Sequence, residues 1–158
     1  MMIIVVAISV SSCATTVRDL EADIPIPLEM KQATPQEAVE TYLEWLTYSY
    51  RNMDSEIATP TMTPDLARRV SYYITMNAAD GNALNQRLDS FSIKDTEIND
   101  TIATVTTEET WTFNYLSLET GNFTTPVVES YRVSYIVLLI DGRWIVQSAD
   151  AEIVTLSD

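Results

Sequence analysis

The hydrophobic period of this chain changes once. Up to Ala79 apolar side chains recur at helical spacing, and past Gly81-Asn82 they recur at every second residue. The segment TPQEAVETYLEWLTYSYRN, residues 34–52, opens with Thr34 as N-cap, Pro35 at the first helical position and Glu37 completing a T-x-x-E capping box. Val39, Tyr42, Leu43, Leu46 and Tyr50 then fall on one helical face. TMTPDLARRVSYYITMN repeats the entry signal, with Thr63 as the cap, Pro64 first, and Leu66, Val70, Tyr73 and Ile74 as the buried stripe. These signals predict helices over 35–51 and 64–77, joined by a short polar connection.

After the change of period, the stretch from about Arg87 to Ile98 alternates Leu88, Ser90 and Ser92 against Asp89, Phe91 and Ile93, and turns at Asn99-Asp100. TIATVTTEETWTFNYLSL has the β-branched and aromatic content of a long strand, with Ala103, Val105, Thr107, Glu109, Trp111, Phe113 and Tyr115 in one phase. ETGNFTTP breaks it. VVESYRVSYIVLLI predicts a third strand, Asp141-Gly142 a two-residue hairpin turn, and RWIVQSADAEIV a fourth strand. Helices followed by an antiparallel meander define the α+β class.

The T-P-x-E-A helix, the second helix and the closing pattern YRVSYIVLLIDGRWIVQSADA together resemble the nuclear-transport-factor-2-like superfamily, the cone-shaped α+β fold also used by ketosteroid isomerase. More narrowly, IKDTEINDTIATVTTEETWTFNY, then Tyr131-Arg132-Val133-Ser134-Tyr135 and Asp141-Gly142-Arg143-Trp144, resemble the IMS domain of the chloroplast-division ARC family and its bacterial relatives. The resemblance spans about residues 34–156. It implies N-terminal helices packed on a strongly curved antiparallel sheet of four or more strands, whose concave face either holds a small ligand or closes into core. No isomerase motif matches residue by residue, so no catalytic position is carried over.

Ahead of this domain the chain reads MMIIVVAISVSSCATT, an uncharged apolar run that ends in small residues at the single cysteine. The run is too short to span a hydrocarbon core of roughly 30 Å as a helix, and it has the length of a signal-peptide core. Val10-Ser11-Ser12-Cys13 resembles a bacterial lipoprotein box, which implies cleavage before Cys13, diacylation of that cysteine, and a chain facing outward in the bacterial cell envelope. The competing reading makes residues 2–10 a buried strand and Cys13 a small hydrophobe in the core. One cysteine allows no intramolecular disulfide under either reading. Residues 14–33 carry alternating charges and Ile24-Pro25-Ile26-Pro27, whose prolines keep the backbone extended. The expected organisation is a signal peptide over 1–12, a tether over 13–33 and a folded domain over 34–158.

Nine basic residues against 23 acidic ones give a net charge of −14. That charge opposes binding to nucleic acid, and it opposes adhesion to anionic lipid, so membrane attachment falls to the lipidated cysteine. The chain has no histidine. Serine and cysteine triads, HExxH zinc sites and histidine bases are therefore absent, and no calcium loop or phosphate loop is present; no metal or cofactor is implied. The expected role is non-enzymatic, with a protein partner or self-association through the outer sheet face, as the superfamily resemblance implies. The alternative is a small hydrophobic ligand, or carboxylate chemistry, inside the cone.

For that alternative the candidate pocket residues are Glu109, Trp111, Tyr131, Arg132, Tyr42 and Tyr73. Glu109 shares its phase with Val105, Trp111 and Phe113, so a regular strand would bury its carboxylate, with Arg132 on the next strand as the nearest counter-ion. A β-bulge at Glu108-Glu109 would instead turn both to solvent, and the rarity of fully buried glutamate favours the bulge. Tyr42, Tyr48, Tyr50, Tyr72 and Tyr73 are expected to pack on the sheet with their hydroxyls at the rim rather than to line a cavity. Arg68-Arg69 reads as part of a solvated helix face.

Overall fold

The computed structural model describes residues 29–154, so Cys13, the signal-peptide expectation and most of the tether lie outside the described residues. Helix α1 runs over Pro35–Asn52 and helix α2 over Pro64–Ala79, with a 3₁₀ turn at Thr59–Thr61 between them. Strands β1 (Asn82–Asn99), β2 (Ile102–Ser117), β3 (Val127–Ile140) and β4 (Arg143–Ile153) form one antiparallel sheet in sequence order. Both helices lie on the same face of this open sheet: α1 crosses all four strands, and α2 packs on β1 and β4.

The capping box of α1 is complete. The Glu37 amide donates to the Thr34 hydroxyl at 3.2 Å, and the Glu37 carboxylate accepts from the Thr34 amide at 3.1 Å. Thr63 occupies the same position before α2 but makes no side-chain cap bond. Its amide donates to the Val146 carbonyl at 2.9 Å, tying the start of α2 to β4, and its buried hydroxyl has no partner among the described residues. Asp141 and Gly142, at φ 51° and 78°, form the β3–β4 turn in the left-handed region that a two-residue hairpin requires.

Curvature comes from bulges, and none of them is in β2. In β1 one extra residue intervenes between Leu88 and Ser90, and another between Ile93 and Asp95; in β4 Gln147 is the unpaired residue opposite Ile136-Val137. The β1 bulges also reverse the strand's phase. Leu88 faces Trp111 while Phe91 and Ile93 face Glu109 and Thr107, so all three pack against the core although simple alternation puts Leu88 opposite the other two. β1 begins five residues earlier than the alternation predicts, because Ala83 and Leu84 are both buried and interrupt the period.

The core lies between helices and sheet, from Ala38, Val39, Leu43 and Leu46 of α1 and Val70 and Ile74 of α2 to Val105, Val133, Val137 and Val146 of the strands. The segment before α1 is held against it. The Gln32 carbonyl accepts from the Trp144 amide at 3.0 Å, the Gln32 amide side chain donates to the Pro60 carbonyl at 3.2 Å, and the Thr41 hydroxyl donates to the Lys31 carbonyl at 2.8 Å.

Candidate functional site

Helices and sheet diverge at one end of the core and leave an open-mouthed cavity of about 390 Å³. Tyr42, Leu43, Leu46 and Tyr50 of α1 and Tyr73 of α2 form one wall, because the i, i+4 and i+8 positions of α1 share a face. The sheet wall comes from Leu84 and Gln86 of β1, from Glu109, Trp111, Phe113 and Tyr115 at alternate positions of β2, and from Tyr131, Val133 and Tyr135 of β3. Ala149 and Ala151 of β4, both exposed, complete the rim.

Glu109 is the polar centre of this surface. β2 is regular through it, pairing Glu109 with Tyr131 on one side and Phe91 on the other, and only 3% of the residue is exposed. The expected bulge at Glu108-Glu109 is therefore absent: β1 and β4 carry the irregularities that curve the sheet, which leaves β2 in phase and drives the carboxylate inward. Three donors hold it. The Thr107 and Tyr135 hydroxyls donate to Oε1 at 2.6 and 2.7 Å, and the Trp111 indole N–H donates to Oε2 at 2.8 Å. Charge-assisted bonds of this kind offset the desolvation of a buried carboxylate.

Arg132 is not its counter-ion. One residue out of phase with Tyr131 and Val133, it lies on the outer face of the sheet, where its guanidinium meets Glu108 at 3.1 Å beside the Lys94–Glu108 pair at 2.7 Å. Among the described residues that line the cavity, none is Lys or Arg. The other sequence candidates, Trp111, Tyr131, Tyr42 and Tyr73, share the cavity wall with Glu109. The rim expectation for the helix tyrosines holds for neither Tyr42, which is buried, nor Tyr72, which is 68% exposed and outside the cavity.

The aromatic rings meet at steep angles. Tyr42 and Tyr135 pack edge to face with centroids 6.1 Å apart, and Tyr50 and Tyr73 do the same at 5.5 Å. The Tyr73 and Tyr115 hydroxyls are 3.1 Å apart, and the Tyr131 hydroxyl donates to Glu129. Burial is the main reason that the Tyr42 and Tyr135 phenols are pushed far up, with the Glu109 charge adding to it. Burial and the neighbouring Tyr73 raise Tyr50 to about 12. The hydrogen bond with Tyr73 raises Tyr115 to about 12, and burial together with Glu129 raises Tyr131 to about 12.

Sequence reasoning missed Thr107 and Tyr135 as partners of Glu109. Thr107 had a local signal, two residues before Glu109 in the same phase. Tyr135 had none, since it is opposite Val105 in the β2–β3 register and its ring reaches Glu109 across a four-residue offset.

No family model and no curated protein matches the sequence. Solved structures do match. Two helices on an open four-stranded antiparallel meander are the nuclear-transport-factor-2-like α+β cone. The intermembrane space region of the chloroplast protein ARC6 superposes with a TM-score of 0.68 at 14% identity, over 80% of this chain and 99% of that one. A nuclear-transport-factor-2-like superfamily protein from Salmonella enterica matches at TM-score 0.53 and 13% identity, over 78% of this chain and 93% of its own. A ketosteroid isomerase-like protein from Erwinia carotovora atroseptica matches at 0.51 and 12%, over 78% and 96%. At these identities the likeness is one of fold.

Proposed function

We propose that this chain is a small-molecule-binding protein, carried on the outer side of a bacterial membrane by lipidated Cys13, with its ligand site inside the cone. The observation that carries the reading is Glu109, buried on the wall of a 390 Å³ cavity among tyrosine and tryptophan side chains. Cavities of this size with apolar walls and a few convergent polar groups suit small organic ligands. Binding is favoured over catalysis. Both oxygens of Glu109 already accept from protein donors, Tyr50, Tyr115 and Tyr131 hold their protons to about 12, and the chain has no histidine to act as acid or base at neutral pH.

The test is binding of the neutral fluorophore N-phenyl-1-naphthylamine, which emits strongly only when removed from water. Saturable one-to-one binding is expected, with energy transfer from tryptophan because Trp111 lines the cavity. Ala151→Trp, at the exposed rim, should plug the mouth and abolish the signal while leaving the melting temperature unchanged. Non-saturable fluorescence, or equal binding by the plugged variant, would sink the reading.

A further inference from the structure

We infer that the preferred ligand is an organic cation of the quaternary ammonium class, an alkyl or aryl trimethylammonium held in an aromatic cage under the Glu109 carboxylate. The inference rests on the reading of the cone as a ligand site and adds the charge and hydration of what enters it. Three observations converge on it.

The first is the uncompensated anion. Glu109 is buried, and the cationic side chain expected to neutralise it, Arg132, is on the other face of the sheet, bound to Glu108. The chain therefore holds a carboxylate on a cavity wall without a guanidinium or ammonium among the described lining residues. Buried charges in proteins are normally paired, and a cationic ligand would pair this one.

The second is how the carboxylate is held. Thr107, Tyr135 and Trp111 occupy it with bonds of 2.6 to 2.8 Å, so little of its hydrogen-bonding capacity is left for a ligand. Its field remains. A primary ammonium or guanidinium gives up a tight hydration shell and needs new acceptors in return. A quaternary ammonium has no N–H, is weakly hydrated, and asks only for a nearby negative charge and polarisable surface.

The third is the surface itself. Tyr42, Tyr50, Tyr73, Tyr131, Tyr135 and Trp111 surround the same cavity as Glu109. The Tyr42–Tyr135 and Tyr50–Tyr73 pairs are T-shaped, with ring planes at 69° and 68°, so in each pair the edge of one ring meets the face of the other. Tyrosine and tryptophan side chains lining a cavity beside a carboxylate are the groups that recognise methylated ammonium. At the mouth Tyr131 is held by Glu129, which places a second carboxylate beside the entry, and the chain's net charge of −14 favours approach of a cation.

The experiment compares two probes of nearly equal shape, benzyltrimethylammonium and its neutral carbon isostere neopentylbenzene, by calorimetry and by displacement of N-phenyl-1-naphthylamine. The cation is expected to bind about tenfold tighter or more. Glu109→Gln should cut that preference to about threefold or less, and Tyr131→Leu, at a half-exposed position, should weaken the cation more than the isostere. Should Glu109→Gln fail to fold, the isostere comparison in the unaltered protein and the Tyr131→Leu variant still decide the question. Equal affinity for cation and isostere, or a preference that survives Glu109→Gln, overturns the inference while dye binding leaves the ligand site standing. Failure of the dye and both probes to bind removes both readings together.

Discussion

Five of the eight tyrosines, Tyr42, Tyr50, Tyr115, Tyr131 and Tyr135, hold their protons more tightly in the fold than a free phenol does. Each keeps its proton above pH 10 when folded and loses it near 10 when unfolded, so above pH 10 the unfolded chain binds fewer protons and stability falls as pH rises. The stability that these side chains contribute is therefore complete below pH 10 and lost as pH climbs through about 12. Melting temperature measured from pH 8 to 12 should stay level to about pH 10 and then drop. Tyr42→Phe should flatten part of that drop. A melting temperature that stays level through pH 12 would contradict this account. Glu109 shows how far a single residue can be read from sequence. Its phase was legible, since alternation alone aligned it with Trp111 and Phe113. Its burial was not, because that depended on whether β2 or its neighbours took up the curvature, and bulged residues such as Asp89, Lys94 and Gln147 carry no mark of their own.

The two helices open with the same T-P signal, and only one uses it as a cap. Thr34→Ala removes half of a complete capping box and should cost about 1 kcal/mol, or about 4 °C in melting temperature. Thr63→Val should cost nothing measurable, because it replaces a buried hydroxyl that has no partner among the described residues with a methyl group of similar size. Equal losses in the two variants would show that Thr63 caps its helix in solution after all. Helix positions were legible within two residues at either end because caps, prolines and apolar spacing are local signals. The β3–β4 hairpin was legible for the same reason, through Asp141-Gly142. The first five residues of β1 were not, since Ala83 and Leu84 are buried side by side and obey no period of two. The residues beside them include Tyr50 and Met53 at the end of α1, and a one-dimensional pattern cannot carry that contact.

At the scale of the whole molecule, the α+β cone followed from the order of its parts, whereas its open interior did not. A cavity is a difference between volumes, and no composition of apolar residues states whether two surfaces touch. The proposed address of the molecule rests on Cys13. Membrane-fraction protein should show an intact mass for a chain beginning at a diacylated Cys13, and Cys13→Ala should lose both the lipid and the membrane; an unmodified Met1 in the soluble fraction would end the lipoprotein proposal. The binding site needs no anchor to form, so the dye and cation measurements can be made on either species. One further property follows from the way β4 closes the fold. It supplies Trp144 and Val146 to the core, accepts the start of α2 through Val146, and pins the segment before α1 through Gln32. Until β4 has been made and has left the ribosome, α2 lacks one of the two strands it packs on and the segment before α1 lacks its backbone bond to the sheet. A growing chain of this design completes its structure only when its last strand arrives.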